Sequence, residues 1–312
     1  MSSYSYQVKN ELITLEELNI KEFLEGIFQV NASINLSSTG LSLEYKTKNE
    51  NIALKIKDMI KELYKVDSII TSYKEKKLNK DTVYVISINQ NANFIIRDLK
   101  LMQAKGDTQY SLKKDIVEDD KRISYLKGSF ISTGSVNNPE TFTYHLEIQT
   151  FNTIVASNIR DLLNSFDLNA KISQNRRGYI VYLKSAEKIS DFIRLIGASE
   201  ALLQFENLRI EKDLSNSINR VINCEVANQK KVEEASKRQL YEIEKVLEYC
   251  KDSISSSAME ALILRQENPE DSLQELSNKS EDRFGHYISR SALNHRLKAI
   301  HELYTNIPND KM

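Results

Sequence analysis

The segment FLEGIFQVNASIN (23–35) recurs 102 residues later as YLKGSFISTGSVN (125–137), with matches at Leu24/Leu126, Gly26/Gly128, Phe28/Phe130, Ser33/Ser135 and Asn35/Asn137. With one residue of slippage the likeness continues through LSLEYKTKN (41–49) and YHLEIQTFN (144–152), which share Leu-Glu and end on Asn49 and Asn152. An ordered series of matches at nearly fixed spacing marks an internal repeat, and a repeat fixes the plan of most of a fold before any single element is assigned.

Hydrophobic periodicity gives both copies the same grammar. Leu41-Ser42-Leu43-Glu44-Tyr45 and Tyr144-His145-Leu146-Glu147-Ile148 alternate as half-buried strands. Ile52, Ile56, Met59, Ile60 and Leu63 then recur at helical spacing, as do Ile154, Val155, Ile159, Leu162 and Leu163. Strand pairs follow at 66–73 with 83–88 and at 170–174 with 179–184, and each copy closes on a short helix, near 94–99 or 192–196. The expected order within each copy is helix, strands, helix, strands, helix.

The stretch 125–137 reads as a helix, yet it holds Gly128 in a chain with only eight glycines. A glycine inside a helix is unfavourable by roughly 1 kcal/mol relative to alanine and persists where backbones approach closely. Gly26 and Gly128 hold equivalent points of the two helices. With Ala32 and Ser33 in one, and Ser132, Gly134 and Ser135 in the other, each helix is expected to offer a small-residue face, so that the pair cross at short range as a lobe interface.

Composition bounds the function. The net charge of −1 and 28% charged residues describe a globular chain without a global basic excess, so a nucleic-acid partner requires positive charge gathered in patches. No basic segment precedes an apolar run at the N-terminus, and no stretch approaches the roughly 20 apolar residues that span a bilayer, so the expectation is a cytoplasmic protein with no membrane partner. Cys224 and Cys250 lie too far apart along one helix to bridge, which fits a reducing compartment.

The glycine-centred helix and its sequel resemble the dodecapeptide motif of the LAGLIDADG homing endonucleases, over about 21–197. In that family the two motif helices form the lobe interface, and an acid near each helix C-terminus binds a divalent metal. Counted from the shared glycine, the acid positions fall on Asn31 and Thr133. Hard cations are held by charged oxygens that also activate the attacking water, and Asn and Thr offer only neutral ones. The resemblance therefore implies the nuclease architecture without a metal site, a cofactor or catalysis.

The saddle of such a fold is the outer face of the strands. Its basic candidates are Lys74, Lys76, Lys77 and Lys80 in YKEKKLNKD (73–81), and Arg176 and Arg177 in NRRGY (175–179), whose Gly178 suits a tight turn. They occupy matching places in the two repeats. Glu44 and Glu147 project from the same alternating face and repel phosphate, so an ordinary solvated surface, or a protein-interaction platform, stands beside the DNA reading.

The last third is helical. Val232, Ala235, Ile243, Val246, Leu247 and Cys250 form an apolar stripe on a long helix, with DLSNSINR (213–220) read as the linker before it. Three shorter helices follow: one built on Met259, Leu262 and Ile263, one with a capping box from Ser272 to Glu275, and one capped by Ser289 with Leu293, Leu297, Ile300 and Leu303 inward. The outer face of the last presents Arg290, Ser291, Asn294, His295, Arg296 and Lys298, and no acid occurs over 283–300. Arg for guanine edges, Asn for adenine, and Ser and Lys for phosphates are the equipment of a recognition helix in a helix-turn-helix, with a solvated basic helix as the alternative. The connector KSEDRFGHY (279–287) reads as longer than the short turn of a compact helix-turn-helix. His286, His295 and His301 lack the cysteine or carboxylate companions of a metal site.

The combination resembles the WhiA family of bacterial sporulation and cell-division regulators. The residues that carry the likeness are YLKGSFISTGSVN with YHLEIQ, then NRVINCEVAN, then SRSALNHRLKAI, in which Arg290 and Ala292 depart from that family's pattern. The resulting expectation is an α+β chain. A two-lobed, pseudo-symmetric LAGLIDADG-like double lobe of αββαββα repeats spans 1–212, with copies at about 21–100 and 122–197, and an all-α helix-turn-helix domain spans 221–312. The resemblance implies a non-enzymatic, nucleoid-associated protein that binds double-stranded DNA and acts in transcription regulation, cell division, chromosome segregation or sporulation. A protein-interaction scaffold and an active endonuclease or maturase are the competing classes.

Overall fold

Both repeats close around their motif helices. The computed structural model describes residues 3–38, 40–74, 81–102, 116–141 and 143–308. Its first compact unit spans residues 1–212. There α2 (Ile20–Asn31), β1 (Ala32–Ser37), β2 (Gly40–Thr47), α3 (Glu50–Tyr64), β3 (Ile69–Lys74), β4 (Thr82–Ile88) and α4 (Ala92–Asp98) form one lobe. The second lobe repeats the order as α5 (Asp119–Thr133), β5 (Gly134–Val136), β6 (Leu146–Thr150), α6 (Thr153–Ser165), β7 (Lys171–Asn175), β8 (Gly178–Leu183) and α7 (Ala186–Leu195). Each lobe carries an antiparallel four-stranded sheet, ordered β1-β2-β4-β3 or β5-β6-β8-β7. The α+β, two-lobed architecture is the one that the repeat implies.

Particular side chains explain why the copies fold alike. Leu43 and Tyr45 of β2 sit opposite Ile88 and Ile86 of β4, and Leu146 and Ile148 of β6 sit opposite Leu183 and Val181 of β8, so the alternation buries one face of each sheet. The matched asparagines are helix caps. Asn49 Oδ1 accepts from the backbone N–H groups of Asn51 and Ile52, and Asn152 Oδ1 accepts from that of Ile154.

The structure differs from expectation at the ends of the motif helices. They stop at Asn31 and Thr133, and Ala32, Ser33, Gly134 and Ser135 belong to β1 and β5. Ser33 and Ser135 are therefore not part of a helical small-residue face: they sit opposite Glu44 and Glu147 in the sheets. Alternating residues entering a hairpin favour the strand over another turn of helix.

An N-terminal helix, α1 (Tyr4–Thr14), precedes the repeats and was not anticipated. Tyr4, Val8, Leu12 and Ile13 bury one of its faces. The Glu11 carboxylate accepts from the backbone N–H groups of Glu200 at 2.8 Å and Ala201 at 2.9 Å, filling donors at the start of α8 (Ser199–Tyr249).

The second compact unit, residues 213–312, holds the rest of α8, a short 3-10 turn at Lys251–Ser253, then α9 (Ser256–Glu267), α10 (Leu273–Phe284) and α11 (Arg290–Thr305). Ile243, Val246, Leu262, Leu276, Leu293, Leu297 and Ile300 form its core. The segment 213–220, read as a linker, is helical. Ser and Asn weaken a helix only slightly, and no glycine or proline occurs over 199–249 to stop it. Among the described residues no helix is long and apolar enough to cross a membrane.

Candidate nucleic-acid interface

Caps and two buried hydroxyls set the position of α11. Ser272 and Glu275 form the reciprocal capping box at the start of α10, and Gly285 ends that helix in the left-handed region with φ +76°. The connector to α11 is therefore 285–289, shorter than the sequence suggested, because KSEDRF contains nothing that halts a helix and α10 continues to Phe284. Buried Ser277 and Ser280 hold this turn: Ser277 donates to Ile288 O at 2.6 Å, and Ile288 N donates to Ser280 Oγ at 2.8 Å. Ser289 then caps α11 by accepting from Ala292 N at 3.2 Å.

The outer face of α11 divides in two. Ser289, Arg290, Ser291, Asn294, His295 and Lys298 are exposed along it, where base edges and phosphates could be met. Arg296 is half-buried, and its Nη1 donates to Glu260 Oε2 of α9 at 2.6 Å. His286 Nε2 lies 3.4 Å from the same carboxylate oxygen. The acid-free run 283–300 thus receives an acid from another helix, which sequence spacing could not reveal. Arg296 ties α11 to α9, whereas Ser289, Arg290, Ser291, Asn294, His295 and Lys298 stay exposed. His301 is engaged as well, with Nδ1 2.8 Å from Glu242 Oε1.

Sequence reasoning missed Tyr287, which is 57% exposed immediately before the buried Ile288 and the cap of α11. The signal was an aromatic residue in a connector, legible only once the connector is known to be short.

In the double lobe the motif helices meet backbone to backbone. A Cβ built on Gly26 would lie 2.1 Å from Tyr125 O, and one on Gly128 would lie 2.1 Å from Phe23 O. Ser132 Oγ of α5 donates to Ile27 O of α2 at 3.1 Å. Asn31 and Thr133 are the last residues of their helices, and the Thr133 hydroxyl donates to Gln149 O at 2.5 Å. Of the basic saddle candidates, Lys74, Arg176 and Arg177 are exposed, whereas Lys76, Lys77 and Lys80 lie outside the described residues. Gly178 follows the two arginines with φ +113°, and Thr150 O lies 2.5 Å from where its Cβ would be, so this tight turn requires glycine. Among the described residues no group of three or more His, Cys, Asp and Glu side chains could hold a metal ion.

Three family domains match the chain in order. The WhiA N-terminal LAGLIDADG-like domain covers residues 17–102, the WhiA LAGLIDADG-like domain 122–215 and the WhiA C-terminal HTH domain 218–304. The chain belongs to the WhiA family. Similar proteins include the "Probable cell division protein WhiA" of Latilactobacillus sakei subsp. sakei (strain 23K), 38% identical over 312 residues and covered to 97% on both sides. Another, of the same name, is from Staphylococcus aureus (strain USA300), 37% identical with 98% of each chain covered. The crystal structure of full-length DUF199/WhiA from Thermatoga maritima matches with a TM-score of 0.56 at 21% identity, over 98% of this chain and 99% of that one, a likeness of fold. The WhiA helix-turn-helix domain therefore contains α9 to α11, and the two LAGLIDADG-like domains are the lobes described above.

Proposed function

We propose that this protein binds double-stranded DNA through α11 and serves bacterial cell division as a non-catalytic regulator, acting on transcription or chromosome segregation, and on sporulation where the organism sporulates. One observation carries the reading: α11 presents Arg290, Ser291, Asn294, His295 and Lys298 together, while Arg296 is held by Glu260 and buttresses the helix. The cell-division names of the matched relatives support the cellular role. Within this reading, residues 1–212 form a lobe unit and 221–312 the DNA-binding unit, and a DNA-bound protein resides at the nucleoid.

Phosphate contacts release counterions, so affinity falls with salt at a log–log slope of about 0.9 per neutralised phosphate. Arg290→Ala combined with Lys298→Ala should weaken duplex binding and flatten that slope, as read by fluorescence anisotropy across a salt series. Unchanged affinity and slope would exclude α11 as the contact helix. Exposed Lys74, Arg176 and Arg177 offer a secondary surface for DNA or a protein partner.

The non-catalytic reading rests on Asn31 and Thr133. Thr133 is committed to Gln149 O, and neither side chain supplies the negative oxygen that a hard cation needs. Incubation with duplex DNA and Mg²⁺ should leave the DNA intact; metal-dependent cleavage lost on Asn31→Ala would refute the reading.

A further inference from the structure

Within the first unit, a cavity of about 440 Å³ lies against α1. Its wall includes Tyr6 and Lys9 of α1, Lys46 and Lys48 at and just beyond the end of β2, Tyr73 of β3 and Ser132 of α5. Three lysines thus line one volume. Lys48 pairs with Asp81 at 2.9 Å. Among the described residues Lys9 and Lys46 have no carboxylate partner.

Lys9 is hard to explain by folding alone. Its ammonium packs 5.9 Å from the centroid of the buried Phe130 ring, and burial pushes its pKa down to about 8. A half-buried ammonium that meets an aromatic ring but no carboxylate among the described residues opposes folding, and a methionine would fill the place without that penalty. Such groups gather where a ligand supplies the missing charge. A second unmet group adjoins the site: the hydroxyl of buried Tyr45 lies close to Ser132 of the cavity wall, yet no partner meets it in hydrogen-bond geometry. Burial pushes that phenol up to about 12, so it remains a neutral donor. At the mouth, Tyr6 and Tyr73 are 43% and 49% exposed and offer aromatic faces.

We propose that this cavity binds a phosphate-bearing small molecule of mononucleotide size, its phosphate held by Lys9 and Lys46 and its ring placed against Tyr6 and Tyr73. Lysine is a point charge suited to phosphate, and aromatic rings stack on bases without regard to sequence. The volume lies within the roughly 300–1,000 Å³ of small-molecule sites and is far too small to admit a duplex. This inference stands apart from DNA recognition by α11, because every residue it uses belongs to the first unit.

Calorimetric titration of the full-length protein at neutral pH tests it, with adenosine and guanosine 5′-monophosphates as probes and adenosine, inorganic phosphate and a short single-stranded oligonucleotide as comparisons. The expected result is saturable, submillimolar binding of at least one mononucleotide, weaker binding of phosphate alone and none of the nucleoside. Lys9→Gln and Lys46→Gln should each weaken it by about tenfold or more, whereas Lys9→Arg and the Arg176→Gln/Arg177→Gln pair should not. Circular dichroism checks that each variant is folded, and exposed Lys46 carries the test if Lys9→Gln is not. Absence of saturable binding, equal binding of the nucleoside, indifference to the lysine substitutions, or binding confined to the oligonucleotide would each overturn the proposal.

Discussion

Arg290 and Arg296 lie six positions apart on α11, and their surroundings give them different work. Arg290 is exposed, while the Arg296 side chain is 22% exposed and bound to a Glu260 carboxylate that is 28% exposed. Arg296→Ala leaves Glu260 half-buried with only His286 as an ion-pair partner among the described residues and should lower stability by about 1–3 kcal/mol, as measured by urea unfolding. Arg290→Ala should change stability by less than about 0.5 kcal/mol yet reduce DNA affinity. The reverse pattern would exchange their assigned roles. Lys9 offers a second test, because burial pushes its pKa down from the ordinary 10.5 of a lysine to about 8. Below pH 8 the folded protein bears the whole penalty of keeping this half-buried ammonium charged. Between 8 and 10.5 the unfolded chain binds the additional proton, so stability rises with pH there. The titratable groups that line the cavity with Lys9 are Lys46, Lys48, Tyr6 and Tyr73, none of them a carboxylate. Lys9→Met should therefore raise Tm at pH 7, with an advantage over the wild type that shrinks as pH climbs from 8 toward 10.5; an unchanged or lowered Tm at pH 7 would contradict the charge-penalty account.

At the scale of elements, what the sequence made legible depended on how local the cause was. The strands were readable because Leu43, Tyr45, Leu146 and Ile148 alternate, and the caps because Ser272, Glu275 and Ser289 act within one turn of their own position. The close approach of α2 and α5 was readable because a glycine inside a helix has few other reasons to be there. Three features were not: the arrest of the motif helices at Asn31 and Thr133, the helix through 213–220, and the pairing of Arg296 with Glu260. The first depends on a strand partner distant in sequence, the second on the absence of a breaker rather than the presence of a signal, and the third on a side chain from another helix. The turn between α10 and α11 combines both kinds of cause. Ser280 Oγ accepts from Ile288 N and donates to Ser277 O at 2.7 Å, all within the buried interior. Ser280→Ala orphans a buried N–H and should lower stability by about 1–3 kcal/mol. It should also weaken duplex binding, because the start of α11 loses its anchor; chemical unfolding and anisotropy on the same variant measure both.

At the scale of the whole molecule, the two units have separate hydrophobic cores: one gathers Phe23, Ile27, Tyr125 and Phe130 with the sheets, and the other gathers Ile243, Leu262, Leu293 and Leu297. No residue is shared between these clusters, and α8 contributes Phe205 to the first and Ile243 and Val246 to the second. Two cores of this kind need not melt as one, and a chain of this length frequently departs from two-state unfolding. Scanning calorimetry should resolve two transitions, each assignable by a variant aimed at one core. Gly128→Ala forces a Cβ to within 2.1 Å of Phe23 O, an overlap that only separation of α2 from α5 relieves, and should destabilise the first unit by about 3 kcal/mol or more. Leu297→Ala leaves a cavity beneath α11 and should destabilise the second by about 2–5 kcal/mol. If the cores are energetically distinct, each substitution lowers one transition and leaves the other in place, and duplex affinity well below both transitions follows Leu297→Ala rather than Gly128→Ala. A single transition displaced equally by either variant would mean that α8 couples the units into one cooperative body, and a change in the lobes would then be felt at α11.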